Sequence, residues 1–108
     1  MKEITNIAEY NEILNGSKPV LLDFYADWCG PCQTLLPIVE DLATKHESDF
    51  VIAKINVDKN PELAQKHSVR SIPALFFIQN KEVTEKLVGL QPKSVLDAKI
   101  HQHLKAAV

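Results

Sequence analysis

Tyr25-Ala26-Asp27-Trp28-Cys29-Gly30-Pro31-Cys32 holds the only two cysteines and the only tryptophan of the chain. Before it, Val20-Leu21-Leu22-Asp23-Phe24-Tyr25 is a nearly continuous apolar run. Such runs belong to strands covered on both faces, as parallel central strands are. After it, Leu35, Leu36, Val39, Leu42 and Ala43 recur at helical spacing from Cys32 to about His46. Pro37 lies inside that pattern and is expected to kink the helix. Two thiols three residues apart at a strand-to-helix junction make a candidate redox site. Half of a metal site and a pair of inert core thiols are the competing readings.

Composition narrows the choice. A chain of 108 residues, 45% hydrophobic and 24% charged, suffices for one domain spanning residues 1–108. The net charge of -2 offers no basic footprint for nucleic acid and no polybasic patch for a membrane surface. The apolar runs are too short to span a bilayer. Met1-Lys2-Glu3-Ile4-Thr5-Asn6 has no apolar signal region. The expected home is therefore cytoplasmic, or periplasmic or organellar after loss of a leader. A reducing compartment would keep a lone dithiol cycling. The expected state is a monomer.

The rest of the chain reads as alternating elements. Glu3 to Thr5 is an edge-strand candidate. Asn6 and Glu9 form a capping box for a helix over Ile7 to Leu14, with Ile7, Tyr10, Ile13 and Leu14 inward and Asn15-Gly16 as its stop. Phe50 to Val57 is a strand, and Asn60-Pro61-Glu62 caps and starts a short helix with Leu63 and Ala64 inward. Ala74 to Ile78 and Val83 to Val88 form a hairpin around Gln79-Asn80-Lys81-Glu82, Asn80 being the residue suited to a left-handed conformation. Gly89 ends the second strand. Pro92 opens a last helix with Val95, Leu96, Ile100 and Leu104 on one face. The order β-α-β-α-β-α-β-β-α implies an α/β fold, a central mixed sheet with helices on both faces.

Cysteines at i and i+3 around a helix start close a disulfide with little backbone movement. So short a loop gives the bond little entropic advantage, which suits repeated making and breaking. Cys29, at the helix N-terminus, has free N–H groups and the positive dipole end to favour its thiolate. Cys32, one turn in, is expected to be more buried and to attack second. Gly30 lets a partner backbone approach, and Pro31 fixes a helical φ at the first turn. A zinc site needs about four ligands, and no second pair stands at ligand spacing. His46 and His67 read as isolated, and His101 and His103 point to different sides. All four histidines are expected at the surface, and neither a metal nor another cofactor is expected.

Trp28-Cys29-Gly30-Pro31-Cys32 matches in full the W-C-G-P-C motif of the thioredoxin family, which the whole chain resembles. Val20 to Asp27, Ala53-Lys54-Ile55-Asn56-Val57-Asp58, Val69-Arg70-Ser71-Ile72-Pro73-Ala74 and Val88-Gly89 resemble further family segments in family order. The resemblance implies the thioredoxin fold and general protein disulfide reduction. The implied partners are disulfide-containing substrate proteins and, for recharging, a thioredoxin reductase or equivalent donor. Departures from the family pattern are Tyr25 for a second Trp, Gln33 for a frequent Lys, Ser71 for a Gly and Lys81 for the hairpin Gly.

Two charges in apolar strands need a reason. Burying Asp23 is costly unless it is neutral or paired, and burial raises its pKa. The resemblance implies that it lies beneath Cys32 and accepts that thiol's proton. Lys54 either snorkels to water or, if its strand neighbours that of Asp23, biases Asp23 toward ionisation. The resemblance further implies a cis Ile72-Pro73 bond facing the cysteines. Ile72 would then offer backbone groups to an extended substrate, on a shallow apolar platform of Trp28, Gly30, Pro31, Ile72, Pro73 and Gly89. A disulfide oxidase or isomerase of the same fold is one rival. A binding module that needs neither cysteine is the other.

Overall fold

The computed structural model describes residues 1–106; Ala107 and Val108, the end of the expected 1–108 domain, lie outside the described residues. The elements are β1 (Lys2–Glu3), α1 (Ile7–Leu14), β2 (Val20–Tyr25), α2 (Gly30–Lys45), β3 (Val51–Asn56), α3 (Pro61–Lys66), β4 (Ala74–Gln79), β5 (Glu82–Val88) and α4 (Lys93–Ala106). The expected element order holds throughout. The strands form one sheet in the order β1-β3-β2-β4-β5. β3 runs parallel to both β1 and β2, β4 is antiparallel to β2, and β5 is antiparallel to β4. No helix among the described residues is long and apolar enough to cross a membrane.

Strand alternation divides the core between two faces. Val20, Leu22 and Phe24 pack with Tyr10 of α1 and Leu63 of α3. Leu21 packs on the opposite side with Leu35, Val39 and Leu42 of α2 and with Leu96 and Ile100 of α4. All six β2 residues are buried, which is why its apolar run hardly alternates. Each large side chain buried there contributes about 1.5–3 kcal/mol. The register aligns Tyr25 with Asn56, Phe24 with Ala74, and Ala74 with Val88. The end of β2, the end of β3, the start of β4 and the end of β5 therefore meet at one edge of the sheet.

Several local expectations are corrected. Ile7 and Val95 are exposed rather than inward. Strand β1 is Lys2–Glu3 rather than Glu3 to Thr5. Asn6 Oδ1 accepts from the Glu9 N–H at 2.9 Å, but the Glu9 carboxylate takes the N–H of Thr5, at 2.7 Å, instead of that of Asn6. Asn60 makes no side-chain cap; its Nδ2 donates to the Asn56 carbonyl at 3.1 Å. In the hairpin Lys81 joins Asn80 in the left-handed region, with φ of 68° and 53°. Pro37 lies within α2 without ending it.

Of the four histidines only His101 is exposed. His46 is buried, with Nε2 2.7 Å from Asp97 Oδ1. His103 is buried too, stacked on Phe77 at 4.4 Å between ring centroids. His67 is half-buried, 2.7 Å from the Tyr10 hydroxyl, and burial pushes its pKa down. Nor is His46 isolated, because His101 joins it and Asp97 in a group whose ligand atoms lie within 4.8 Å of one another. Lys45 Nζ already sits on both Asp97 oxygens, at 3.1 and 3.0 Å. The protein thus supplies its own cation there, and the group reads as an ion cluster tying α2 to α4.

Candidate active site

Cys29 is the N-cap of α2, and its Sγ accepts from the Cys32 N–H at 3.3 Å. Gly30, Pro31 and Cys32 form the first turn, so the proline sits where its missing donor leaves no helical bond unmade. The two sulfurs are joined in a disulfide with Cα atoms 5.2 Å apart, within the ordinary range. Cys29 is 5% exposed and Cys32 0%. The order of accessibility is as expected, but Cys29 is far more enclosed than an open attacking group. Its sulfur lies 3.8 Å from the Ile72 carbonyl oxygen, so the loop before β4 covers one side of the disulfide.

Asp23 lies in β2 on the α2 face, between Leu21 of the α2–α4 core and Tyr25, which packs with Cys29 and Cys32. It is 0% exposed, and neither carboxylate oxygen has a hydrogen-bond partner among the described residues. Burial pushes its pKa from the ordinary 3.8 up to about 7, with the Lys54 charge pulling it back down. Lys54 is directly opposite Asp23 in the β2–β3 register and is half-buried. Its ammonium lies 5.4 Å from the centre of the Tyr25 ring.

The remaining expected residues gather on the same edge. Trp28 is 72% exposed, and its Nε1–H donates to Asp58 Oδ2 at 2.8 Å. The Ile72-Pro73 peptide bond is cis. Ile72 is half-buried, whereas Pro73 is buried and takes part through its carbonyl, which accepts from the Gly89 N–H at 2.8 Å. Gly89 has a φ of +92°, a conformation that side chains other than glycine's rarely adopt. Gly30 is open, with nothing within 4 Å of the place a Cβ would occupy. Exposed Val88 and Leu90 flank Gly89 and enlarge the apolar surface beyond the expected set. Gln33, which brings no charge to the helix start, donates from Nε2 to the Ala26 carbonyl at 3.2 Å and braces the turn before Cys29. Asp58 was visible in the sequence, closing the Ala53-to-Asp58 segment; its bond to Trp28 crosses 30 residues and was not.

Comparison with known proteins places these residues in context. A family model described as Thioredoxin matches residues 2–102. Over 102 residues the chain is 43% identical to a protein named Thioredoxin from Chlorobaculum thiosulfatiphilum, covering 94% of each. It is also 43% identical over 103 residues to the Thioredoxin of Buchnera aphidicola subsp. Baizongia pistaciae, covering 95% of this chain and 94% of the relative. The crystal structure of a Malassezia sympodialis thioredoxin matches with a TM-score of 0.88 at 31% identity, covering 96% of this chain and 90% of that one. Kinship in sequence and in shape extends over nearly the whole sheet whose edge carries the disulfide: the chain belongs to the thioredoxin family and is a protein-disulfide reductase that works by thiol–disulfide exchange through Cys29 and Cys32.

Proposed function

We propose a division of labour within the pair, in one domain spanning residues 1–108 that acts as a cytoplasmic monomer. The Cys29 thiolate attacks a substrate disulfide, forming a Cys29–substrate disulfide and expelling one substrate thiolate. Asp23 takes the proton of the Cys32 thiol. Cys32 sulfur then attacks Cys29 Sγ, expels the second substrate thiolate and closes the Cys29–Cys32 disulfide. The substrate gains two electrons and the protein loses two. A thioredoxin reductase or an equivalent donor returns them. No metal or other cofactor enters the scheme.

The observation that carries this reading is the buried, unbonded Asp23 carboxylate on the α2 face of β2, two residues before Tyr25, which packs with the disulfide at the N-terminus of α2. A base that titrates near neutral pH is half ionised there, so it both accepts and releases a proton readily. Lys54 supports the ionised form. The N–H of Cys32 and the dipole of α2 favour negative charge on Cys29 sulfur. Equilibrating the pair against glutathione buffers, with an assay of protein-disulfide reduction, tests the direction of the chemistry. The expected result is a potential on the reducing side of the glutathione pool together with turnover. A potential among the disulfide-forming enzymes would overturn it.

Trp28, Gly30, Pro31, Ile72 and the backbone at Gly89 form the docking surface, with Pro73 beneath it. Main-chain groups of Ile72 pair with an extended substrate segment, which fits many partners because backbone contacts carry little sequence information. Ile72→Asp should slow reduction of a protein disulfide about tenfold or more, and that of a small disulfide much less. Equal losses on the two substrates would count against docking at Ile72.

A further inference from the structure

The strand order sets three charged residues in a row across the sheet. Glu3 of β1 is opposite Lys54 of β3, and Lys54 is opposite Asp23 of β2. Residues opposite one another share a face, so one ammonium stands between two carboxylates. It forms an ion pair within 4.0 Å with neither among the described residues. Tyr25 accounts for this. It lies two residues beyond Asp23 on the same face, diagonal to Lys54. Its ring sits under the Lys54 ammonium, and its hydroxyl donates to Glu3 Oε2 at 2.8 Å, reaching across β3 to do so.

We infer that Tyr25 is a positioning residue, whose hydroxyl holds the Glu3 carboxylate off Lys54 so that the Lys54 ammonium acts on Asp23. The surroundings of Asp23 leave Lys54 as the charge that matters. The row continues as Leu75 in β4 and Leu87 in β5. On the same side of the sheet the buried residues of α2 are Cys32, Leu35, Val39, Leu42 and Ala43 and those of α4 include Leu96 and Ile100, none of which carries a charge. Glu3, on β1, is the remaining carboxylate of the row; Asp27 is exposed and acts on the Tyr25 hydroxyl through its charge. A Lys54 ammonium paired with Glu3 would be nearly neutral at the distance of Asp23, and its support for the ionised carboxylate would fall.

The test follows the Asp23 carboxyl by carbon NMR across pH in the oxidised protein, where neither cysteine titrates. Tyr25→Phe keeps the ring and frees Glu3, and should move the Asp23 midpoint up by about one pH unit. Adding Glu3→Gln to Tyr25→Phe should return the midpoint to within a few tenths of wild type. Glu3→Gln alone should leave it there as well, because Glu3 is already held away; this variant keeps the idea testable if Tyr25→Phe folds poorly. An unmoved midpoint in Tyr25→Phe, a shift that persists in the double variant, or a full-unit shift in Glu3→Gln alone would each overturn the role. The effect on turnover rests on Asp23 as proton acceptor. If the NMR midpoint moves and the pH profile of mixed-disulfide resolution does not, Tyr25 retains its role and the proton-acceptor reading fails.

Discussion

At pH 8 the Asp23→Asn protein should be more stable than wild type by on the order of 4 kcal/mol, and the gain should fade to little at pH 4. The size follows from the roughly three pH units between the ordinary carboxyl and the buried one, at about 1.4 kcal/mol each. The sign follows from proton binding. Below about pH 4 the carboxyl is neutral whether the chain is folded or not, and Asp23 carries no ionisation penalty. Between about 4 and 7 the unfolded chain ionises while the folded one keeps its proton, so stability falls as pH rises. Above about 7 the penalty is complete and constant. Asparagine cannot ionise and escapes it. Denaturant unfolding of the two oxidised proteins at both pH values checks this. A gain of equal size at pH 4 and pH 8 would assign the effect to packing and not to ionisation.

Exchanging either sulfur should have the larger kinetic effect, and the two variants should fail differently. Cys29→Ser removes the attacking group, so turnover should fall by at least about a thousandfold with no covalent adduct. Cys32→Ser keeps the attack and removes the resolving thiol. It should stop multiple turnover as severely while accumulating a mixed disulfide through Cys29, seen by mass spectrometry and reversed by added thiol. The structural basis is the asymmetry of the pair: Cys29 caps the helix at the sheet edge, and Cys32 is sealed one turn inside it. An adduct forming on Cys32 in the Cys29→Ser protein, or wild-type turnover by Cys32→Ser, would reverse or abolish the assigned roles.

The elements and the charged oddities were legible because each rests on local pattern. The apolar run around Asp23 marked a strand covered on both faces, and it is the central strand, β2, parallel to β3 and antiparallel to β4. Lys54 was a lone cation in a second such run, and the register sets it opposite Asp23. What stayed hidden depends on distant partners. Ile7 and Val95 have helical spacing, but periodicity assigns a face without showing whether anything covers it; both are exposed. His46 and His103 looked like surface residues because their partners, Asp97 for one and Phe77 and Thr84 for the other, lie on other elements. The Tyr25–Glu3 bond was invisible for the same reason, since it exists only once β1, β3 and β2 are side by side.

The alignment of four strand ends at one edge separates two kinds of change. The loops after β2, β3 and β5 and before β4 hang from the sheet at this edge; Val57, Val69 and Ile72 pack against its core, whereas Asp58, Ser71 and Leu90 are exposed. Substitutions at Asp58, Ser71 or Leu90 can therefore retune partner choice while the scaffold keeps its folding free energy. Asp23 belongs to the other kind. It sits fully buried within the central strand, so a substitution there changes the folding free energy of the scaffold together with the edge that carries the disulfide.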